Sequence, residues 1–392
     1  MPSQNVTNLL TLPHLKLIKI RPEKRFQYVY CESDLPRKCC PHCGDDFPRV
    51  HQRLIRTLKD SVIRGKIYIL VIKTKRYRCR KCHKTFNEEL DGIKKYQRLT
   101  ERMKRNIYWA CENFADLKKV RKYTRCGTKT IFKSYYTRLA EKQKEREWSA
   151  WPKSLGIDEH GFNRNKERGH RNFVTMIVDH KNKKVRELLP TRNKAEMMKM
   201  LTHIPGRHNV RNVTMDLSGT YRSFVKDFFP RADITADHFH VIRLLHPTIN
   251  RMRKAITGDK RKHPLRKLLL KNGHKLGVFE RKAIWKWLED YPELKEVYFA
   301  KEAMHRLYRC KGYTKARKSF VNLSDWLALS KVPELKRLRK TLMSWREEIL
   351  NYFKTRLTNA RTEGLNNVAK SIIKRSYGFR NFSNYRLRVL NA

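Results

Sequence analysis

Three patterns predict a multidomain α/β chain, and each marks off a stretch of its 392 residues. Two Cys-x-x-Cys pairs sit near the N-terminus, and a stretch of helical periodicity dense in Lys and Arg follows them. From Ser154 short apolar runs alternate with amphipathic ones, the pattern of a sheet with flanking helices, before a long helical stretch. The expected boundaries are 1–92 for a small zinc-ribbon domain and 96–147 for a helical domain. An α/β core is expected over 150–259 and 355–392, interrupted by an all-helical insertion at 260–354.

The charge narrows the partner. Lys and Arg total 91 against 37 acids, a formal net charge of +54. A surface of that sign calls for a polyanion, and nucleic acid comes before anionic membrane. No apolar run reaches the roughly 18 residues that span a bilayer. Met1–Leu12 has no basic segment ahead of an apolar core, so a cytoplasmic, nucleoid-associated protein is expected. Hydrophobic residues at 40% and aromatics at 10% exclude wholesale disorder.

In the first domain, Cys40-Pro41-His42-Cys43 and Cys79-Arg80-Lys81-Cys82 are separated by 35 residues. Cys40, Cys43, Cys79 and Cys82 suit a tetrahedral structural zinc, each knuckle giving two thiolates from one tight turn. A β-hairpin at 55–72 fits between them. Cys39 in place of Cys40, or His42 or His83 in place of a cysteine, are the alternatives. The basic run Lys73–Lys81 is expected along one edge of the module, with Arg76, Arg78 and Arg80 on the DNA backbone rather than merely solvated.

The second domain reads as three helices. Residues 99–114 carry Met103, Ile107, Ala110 and Phe114 on one stripe, 116–123 form a short second helix, and Thr124-Arg125-Cys126-Gly127 is the turn. Thr128 caps a third helix over 129–142. This resembles a helix-turn-helix, with Arg125, Lys129, Lys133 and Arg138 facing DNA and Ile131, Tyr135 and Leu139 packed inward. An ordinary three-helix linker gives the same pattern.

In the core, strands are expected at 154–158, 173–179, 185–189, 210–216 and 233–237, and helices at 194–203, 221–229 and 238–254. Asp158 and Asp216 close apolar strands, and Glu363 opens the last helix (362–374). Glu363 is the only acid in the last 44 residues, among nine Lys or Arg. Taken singly, each acid is a turn residue or cap. Converging at a sheet edge, they repel strongly unless divalent cations sit between them, and such a pair of cations serves phosphoryl displacement.

These residues resemble the DDE transposases of bacterial insertion sequences, in the ISL-three family. The motifs are Leu155-Gly156-Ile157-Asp158-Glu159, Asp216-Leu217-Ser218-Gly219-Thr220-Tyr221, Asp237-His238-Phe239-His240, Thr358-Asn359-Ala360-Arg361-Thr362-Glu363-Gly364-Leu365-Asn366-Asn367 and Lys374-Arg375-Ser376-Tyr377-Gly378-Phe379-Arg380-Asn381-Phe382. The resemblance implies an RNase H-like core with Asp158, Asp216 and Glu363 holding Mg (or Mn). It implies double-stranded DNA partners, both transposon ends and target, and a homodimer or higher oligomer. Asp237 and His240, three apart on one helix face, orient the carboxylates or contact DNA, or else His240 caps locally. Lys374, Arg375 and Arg380 join the DNA-binding set, and Tyr377, Phe379, Phe382 and Tyr385 either stack on unpaired ends or fill a core. The expected reaction is Mg-dependent cleavage at terminal inverted repeats followed by strand transfer. A DNA-binding regulator and a nuclease without strand transfer are the rivals.

Overall fold

A computed structural model describes residues 15–33, 39–46, 48–90, 93–147, 149–164, 171–258, 264–376 and 378–392. Tyr377 and the expected start of the insertion at Lys260 lie outside these residues. The chain is a mixed α/β protein with two five-stranded sheets, and it divides into compact units at Met1–Lys142 and Gln143–Ala392.

The first unit carries β1 (Leu15–Pro22), β2 (Phe26–Ser33), β3 (Arg49–Ile63), β4 (Lys66–Arg78) and β5 (Thr85–Asn87). Their order is β1-β2-β4-β3, with β5 also on β4. The hairpin between the cysteine knuckles is longer than expected. Arg64 and Gly65 both have positive φ, 50° and 75°, the tight turn that matches strand twist, and β3 and β4 pair from Arg49↔Arg78 to Ile63↔Lys66.

The basic run does not lie on an edge. β4 is the interior strand: β3 pairs along Lys73–Arg78, β2 reaches Lys73 and β5 covers Arg76–Arg78 on the other side, and Arg76 donates to Thr85 Oγ1 at 3.0 Å. Buried Ile72, Thr74 and Tyr77, in and beside the run, hold this stretch inside the sheet. Arg80, in the second knuckle, is exposed.

Next come α1 (Glu101–Asn113), α2 (Leu117–Thr124) and α3 (Thr128–Glu147). Thr100 and Asp116 cap the first two by accepting from Met103 N and Lys119 N. Met103, Ile107, Ala110, Val120, Cys126 and Ile131 form their core. Arg125 ends α2 in the left-handed conformation, φ 52°. Thr128 is the first helical residue rather than the cap, since Gly127 O accepts from Ile131 N. Asp60 on β3 is fully buried, bonded by Thr100 Oγ1 and twice by Arg102, which pins α1 to the first sheet.

The second unit holds β6 (Ser154–Arg164), β7 (Arg171–Asp179), β8 (Lys184–Leu189), β9 (Asn212–Met215) and β10 (Asp233–Ala236) in the order β10-β9-β6-β7-β8. β10, β9 and β6 run parallel; β7 and β8 are antiparallel additions. Period-2 alternation splits the sheet's faces. Leu155, Ile157, Val213 and Met215 face α4 (Lys194–Leu201) and α5 (Gly219–Phe228). Val174, Met176, Val178 and Leu188 face α14 (Ala360–Arg375) and α15 (Phe382–Leu390).

The helix expected over 238–254 is two, α6 (His238–Arg243) and α7 (His246–Thr257). Pro247 explains the break: it has no N–H to give and its ring clashes with the carbonyl four residues back, but it fits the first turn of α7. Between the core's two parts run α8 (Pro264–Leu270), α9 (Val278–Glu289), α10 (Pro292–Arg309), α11 (Tyr313–Leu329), α12 (Pro333–Ser344) and α13 (Arg346–Thr355). No strand interrupts them among the described residues. Asn351 on α13 donates to Ile234 O of β10 at 2.9 Å, and Arg222 on α5 pairs with Glu348 at 2.6 Å, so the returning chain closes the β10 edge. No helix among the described residues is long and apolar enough to cross a membrane.

Candidate active site

The two cysteine knuckles meet. Cys40, Cys43, Cys79 and Cys82 present their sulfurs within 4.8 Å of one another, with Cys40–Cys82 at 3.7 Å and Cys43–Cys79 at 3.5 Å. Four thiolates about 2.3 Å from a tetrahedral zinc would be separated by roughly 3.8 Å, so the donor set fits that ion. Backbone N–H groups of Lys81 and Cys82 donate to Cys79 Sγ, and Gly44 turns the first knuckle at φ 74°. Cys39 is exposed and outside the cluster.

In the second unit, parallel register brings three acids together. The last paired row across the parallel strands is Ala236–Met215–Ile157, and the next residue on each strand is Asp237, Asp216 and Asp158. Asp158 is not strand-terminal as expected: β6 continues to Arg164 against β7, and only its pairing with β9 stops at Ile157. Glu159, beside it, points the opposite way, to Arg192 at 3.1 Å and the Tyr221 hydroxyl at 3.1 Å.

Asp216, Asp237 and His240 form a compact donor group, all within 4.8 Å. His240 Nε2 lies 3.2 Å from Asp216 Oδ1 and 4.0 Å from Asp237 Oδ2. Asp216 Oδ1 is nonetheless buried without a hydrogen bond, because the contact with His240 is close but not aligned. Burial pushes the Asp216 carboxyl up to about 7, and the charges of Asp158, Asp237 and Glu159 push the same way. Burial also raises Asp158, partly offset by donors from Glu159 N and Asn366. A buried, unbonded carboxylate oxygen among acids that disfavour one another's ionisation is chemistry that a divalent cation relieves, and the site fits one.

The helix bearing Glu363 lies against this row. α14 presents Asn359, Thr362, Asn366 and Ala369 to the sheet, all buried, at helical spacing. Asn359 Nδ2 donates to Ile157 O, its Oδ1 accepts from Thr214, and its N–H meets Asp237 Oδ1 at 3.5 Å. Asn366 donates to Asp158 Oδ2. Glu363 lies between these two anchors, four residues after one and three before the other, and is exposed. Neither it nor Asp158 belongs to the compact group around Asp216. Close approach of α14 depends on Gly156, where a Cβ would lie 2.9 Å from Asn359 Oδ1 and closer still to Thr362 Oγ1.

Of the remaining candidates, Arg125, Lys129, Lys133 and Arg138 are exposed around α3 while Ile131, Tyr135 and Leu139 are buried. Lys374, Arg375 and Arg380 are exposed. Tyr385 is fully buried and Phe379 and Phe382 pack beside it, so these aromatics fill a core rather than offer stacking platforms. Sequence reasoning passed over Asn359 and Asn366 because a buried amide leaves no periodic signal.

The chain is 24% identical over 378 residues to the transposase for insertion sequence element IS1001 of Bordetella parapertussis, covering 93% of this chain and 91% of that protein. Residues 155–389, most of the chain and all of the acid-bearing sheet, match the DDE family of the ISL-three type, described as transposase. The chain therefore belongs to the ISL-three family of DDE transposases.

Proposed function

We propose that this transposase binds the terminal inverted repeats of an insertion sequence and carries out Mg-dependent cleavage and strand transfer. The observation that carries the reading is the unbonded, buried Asp216 Oδ1 in a row of strand-end acids one residue past a shared register. Asp158, Asp216 and Glu363 form the catalytic set in an RNase H-like core over 150–259 and 355–392, interrupted by the helical insertion at 260–354. Asp237 and His240 hold Asp216 in place from the second parallel neighbour.

Mg or Mn, when bound by these acids, supplies activation of the attacking oxygen and stabilisation of the leaving one. The protein's own part is to hold Asp158 and Asp216 side by side at the end of a shared register, to leave a buried, unbonded Asp216 oxygen for the cation, and to fix Glu363 through Asn359 and Asn366. The four-cysteine cluster holds a structural zinc in a ribbon over 1–92, and the helix-turn-helix at 96–147 reads the element ends through Arg125, Lys129, Lys133 and Arg138. Arg76, Arg78, Arg80, Lys374, Arg375 and Arg380 add phosphate contacts, which the +54 charge supports. Two ends joined in one complex require a homodimer or higher oligomer, acting on nucleoid DNA in the bacterial cytoplasm.

The test supplies duplex DNA carrying the element's ends together with a target plasmid, with Mg²⁺ or Mn²⁺. Cleavage and joined products are expected, both lost in Asp158→Asn, Asp216→Asn and Glu363→Gln with end binding retained. Cleavage without joining would make the protein a nuclease, and a variant that cuts at the parent rate would remove that residue from the set.

A further inference from the structure

A chain of buried polar groups ends on Asp158 and starts on the C-terminal helix. Asn366, His160 and Tyr385 are 1%, 2% and 0% exposed, and they come from α14, β6 and α15. Asn366 Nδ2 donates to Asp158 Oδ2 and, at 3.3 Å, to Glu159 O. Asn366 Oδ1 lies 2.8 Å from His160 Nδ1, and His160 Nε2 lies 2.5 Å from the Tyr385 hydroxyl.

The donor direction of every link follows from the first. A carboxylate and a carbonyl only accept, so the Asn366 amide must turn its NH₂ toward Asp158 and Glu159. Its oxygen then faces His160, so Nδ1 must carry the ring proton and Nε2 must accept. The Tyr385 hydroxyl must therefore donate. Burial raises Tyr385, so the phenol keeps the proton it donates.

We infer that Asn366 is a positioning residue for Asp158, with its orientation set by His160 and Tyr385 through this one-way chain. The inference rests on reading Asp158 as a cation ligand. Asp158 Oδ1 accepts from Glu159 N at 2.7 Å and Oδ2 from Asn366, so both oxygens are pinned and each keeps an acceptor direction for a cation. α15 is clamped independently, by Arg386 making two 2.6 Å bonds to Glu187 and by the Tyr385 ring stacking on Phe162 at 5.0 Å. The hydroxyl can thus be removed without removing the ring's packing. Partners behind a metal-binding carboxylate fix its orientation in this way.

The test uses the full-length protein with Mn²⁺ alone as probe, read by calorimetry, and ¹⁵N correlation of the histidine rings. Asn366→Ala is expected to weaken Mn²⁺ binding by about 10-fold or more, the usual scale for partners behind a metal ligand. Tyr385→Phe should weaken it less and keep the ring's packing; Nδ1–H stays on Asn366 while the Nε2 ¹⁵N resonance moves as its donor is lost, with a small drop in melting temperature from the unpaired buried nitrogen. If Asn366→Ala does not fold, Tyr385→Phe still decides. A His160 ring that is Nε2–H in the parent protein would overturn the chain's direction and the inference with it. Parent-level Mn²⁺ binding by Asn366→Ala while Asp158→Asn loses it would overturn the positioning role alone. Parent-level binding by Asp158→Asn would remove the reading of Asp158 as a ligand and the inference together.

Discussion

Replacing Gly156 with Ala asks whether α14 must sit where it does for the acids to work. The new methyl would lie 2.9 Å from Asn359 Oδ1 and 3.0 Å from His180 Cε1, and nearer still to Thr362 Oγ1, where ordinary contact begins at 3.4 Å. His180 and Thr362 are buried, so neither swings freely into solvent, and the helix has to withdraw by about an ångström or more to clear Thr362 Oγ1. Overpacking of this kind costs about 1–3 kcal/mol. The strand gains back about 0.5–1 kcal/mol because Ala loses less entropy than Gly. A net loss of about 1–2 kcal/mol lowers the melting temperature by roughly 2–8 °C in a unit of this size. The effect on cleavage should be larger. Glu363 follows Thr362 on the same rigid helix, and a misplacement approaching 1 Å can cost about 100-fold. The assay pairs a thermal melt with Mn²⁺-dependent cleavage of end-bearing DNA. Cleavage within about two-fold of the parent, alongside the expected small melt shift, would refute the dependence of Glu363 on this helix approach.

Asp216 gives a pH prediction for the metal-free protein: its folded carboxyl is raised from 3.8 to about 7. The folded state holds that proton more tightly than the unfolded chain, so stability should fall as pH rises through that window and level off above it. Asp216→Asn should flatten the fall, and Mn²⁺ should raise the melting temperature more at pH 8 than at pH 6; identical pH profiles for parent and variant would contradict the assignment. Cys43→Ser should lower zinc content and the stability of the first unit together, since a closed four-thiolate site contributes folding energy directly; unchanged metal stoichiometry by atomic absorption would reject the zinc site. Lys129→Ala and Lys133→Ala should each reduce the slope of log affinity against log salt by about 0.9 if each covers one phosphate. A salt dependence untouched by both would move DNA away from α3.

Much of the site was legible because its signals are local. Val213-Thr214-Met215-Asp216 and Leu155-Gly156-Ile157-Asp158 are short apolar runs ended by an acid, and the paired knuckles fix four cysteines by spacing alone. What escaped is non-local. His160 reads as a polar break after Asp158, yet β6 runs through it because Tyr385, 225 residues later, satisfies its ring. The run Lys73–Arg78 reads as a DNA-facing edge of the module, yet its strand is interior because β2, β3 and β5 all pair with β4.

The sequence by itself determined which residues are the candidates for chemistry: four thiols at knuckle spacing, acids at the ends of apolar runs, and a charge that favours a polyanionic partner. Those properties reside in side-chain type and short-range order, which folding does not alter. Only the tertiary structure decided which acids stand together. Parallel register set Asp158, Asp216 and Asp237 in one row, and a glycine in β6 let α14 bring Asn359 and Asn366 onto that row. The reason is physical: contacts between strands and helices hundreds of residues apart are set by register and close packing, and neither is written in the spacing of any one segment.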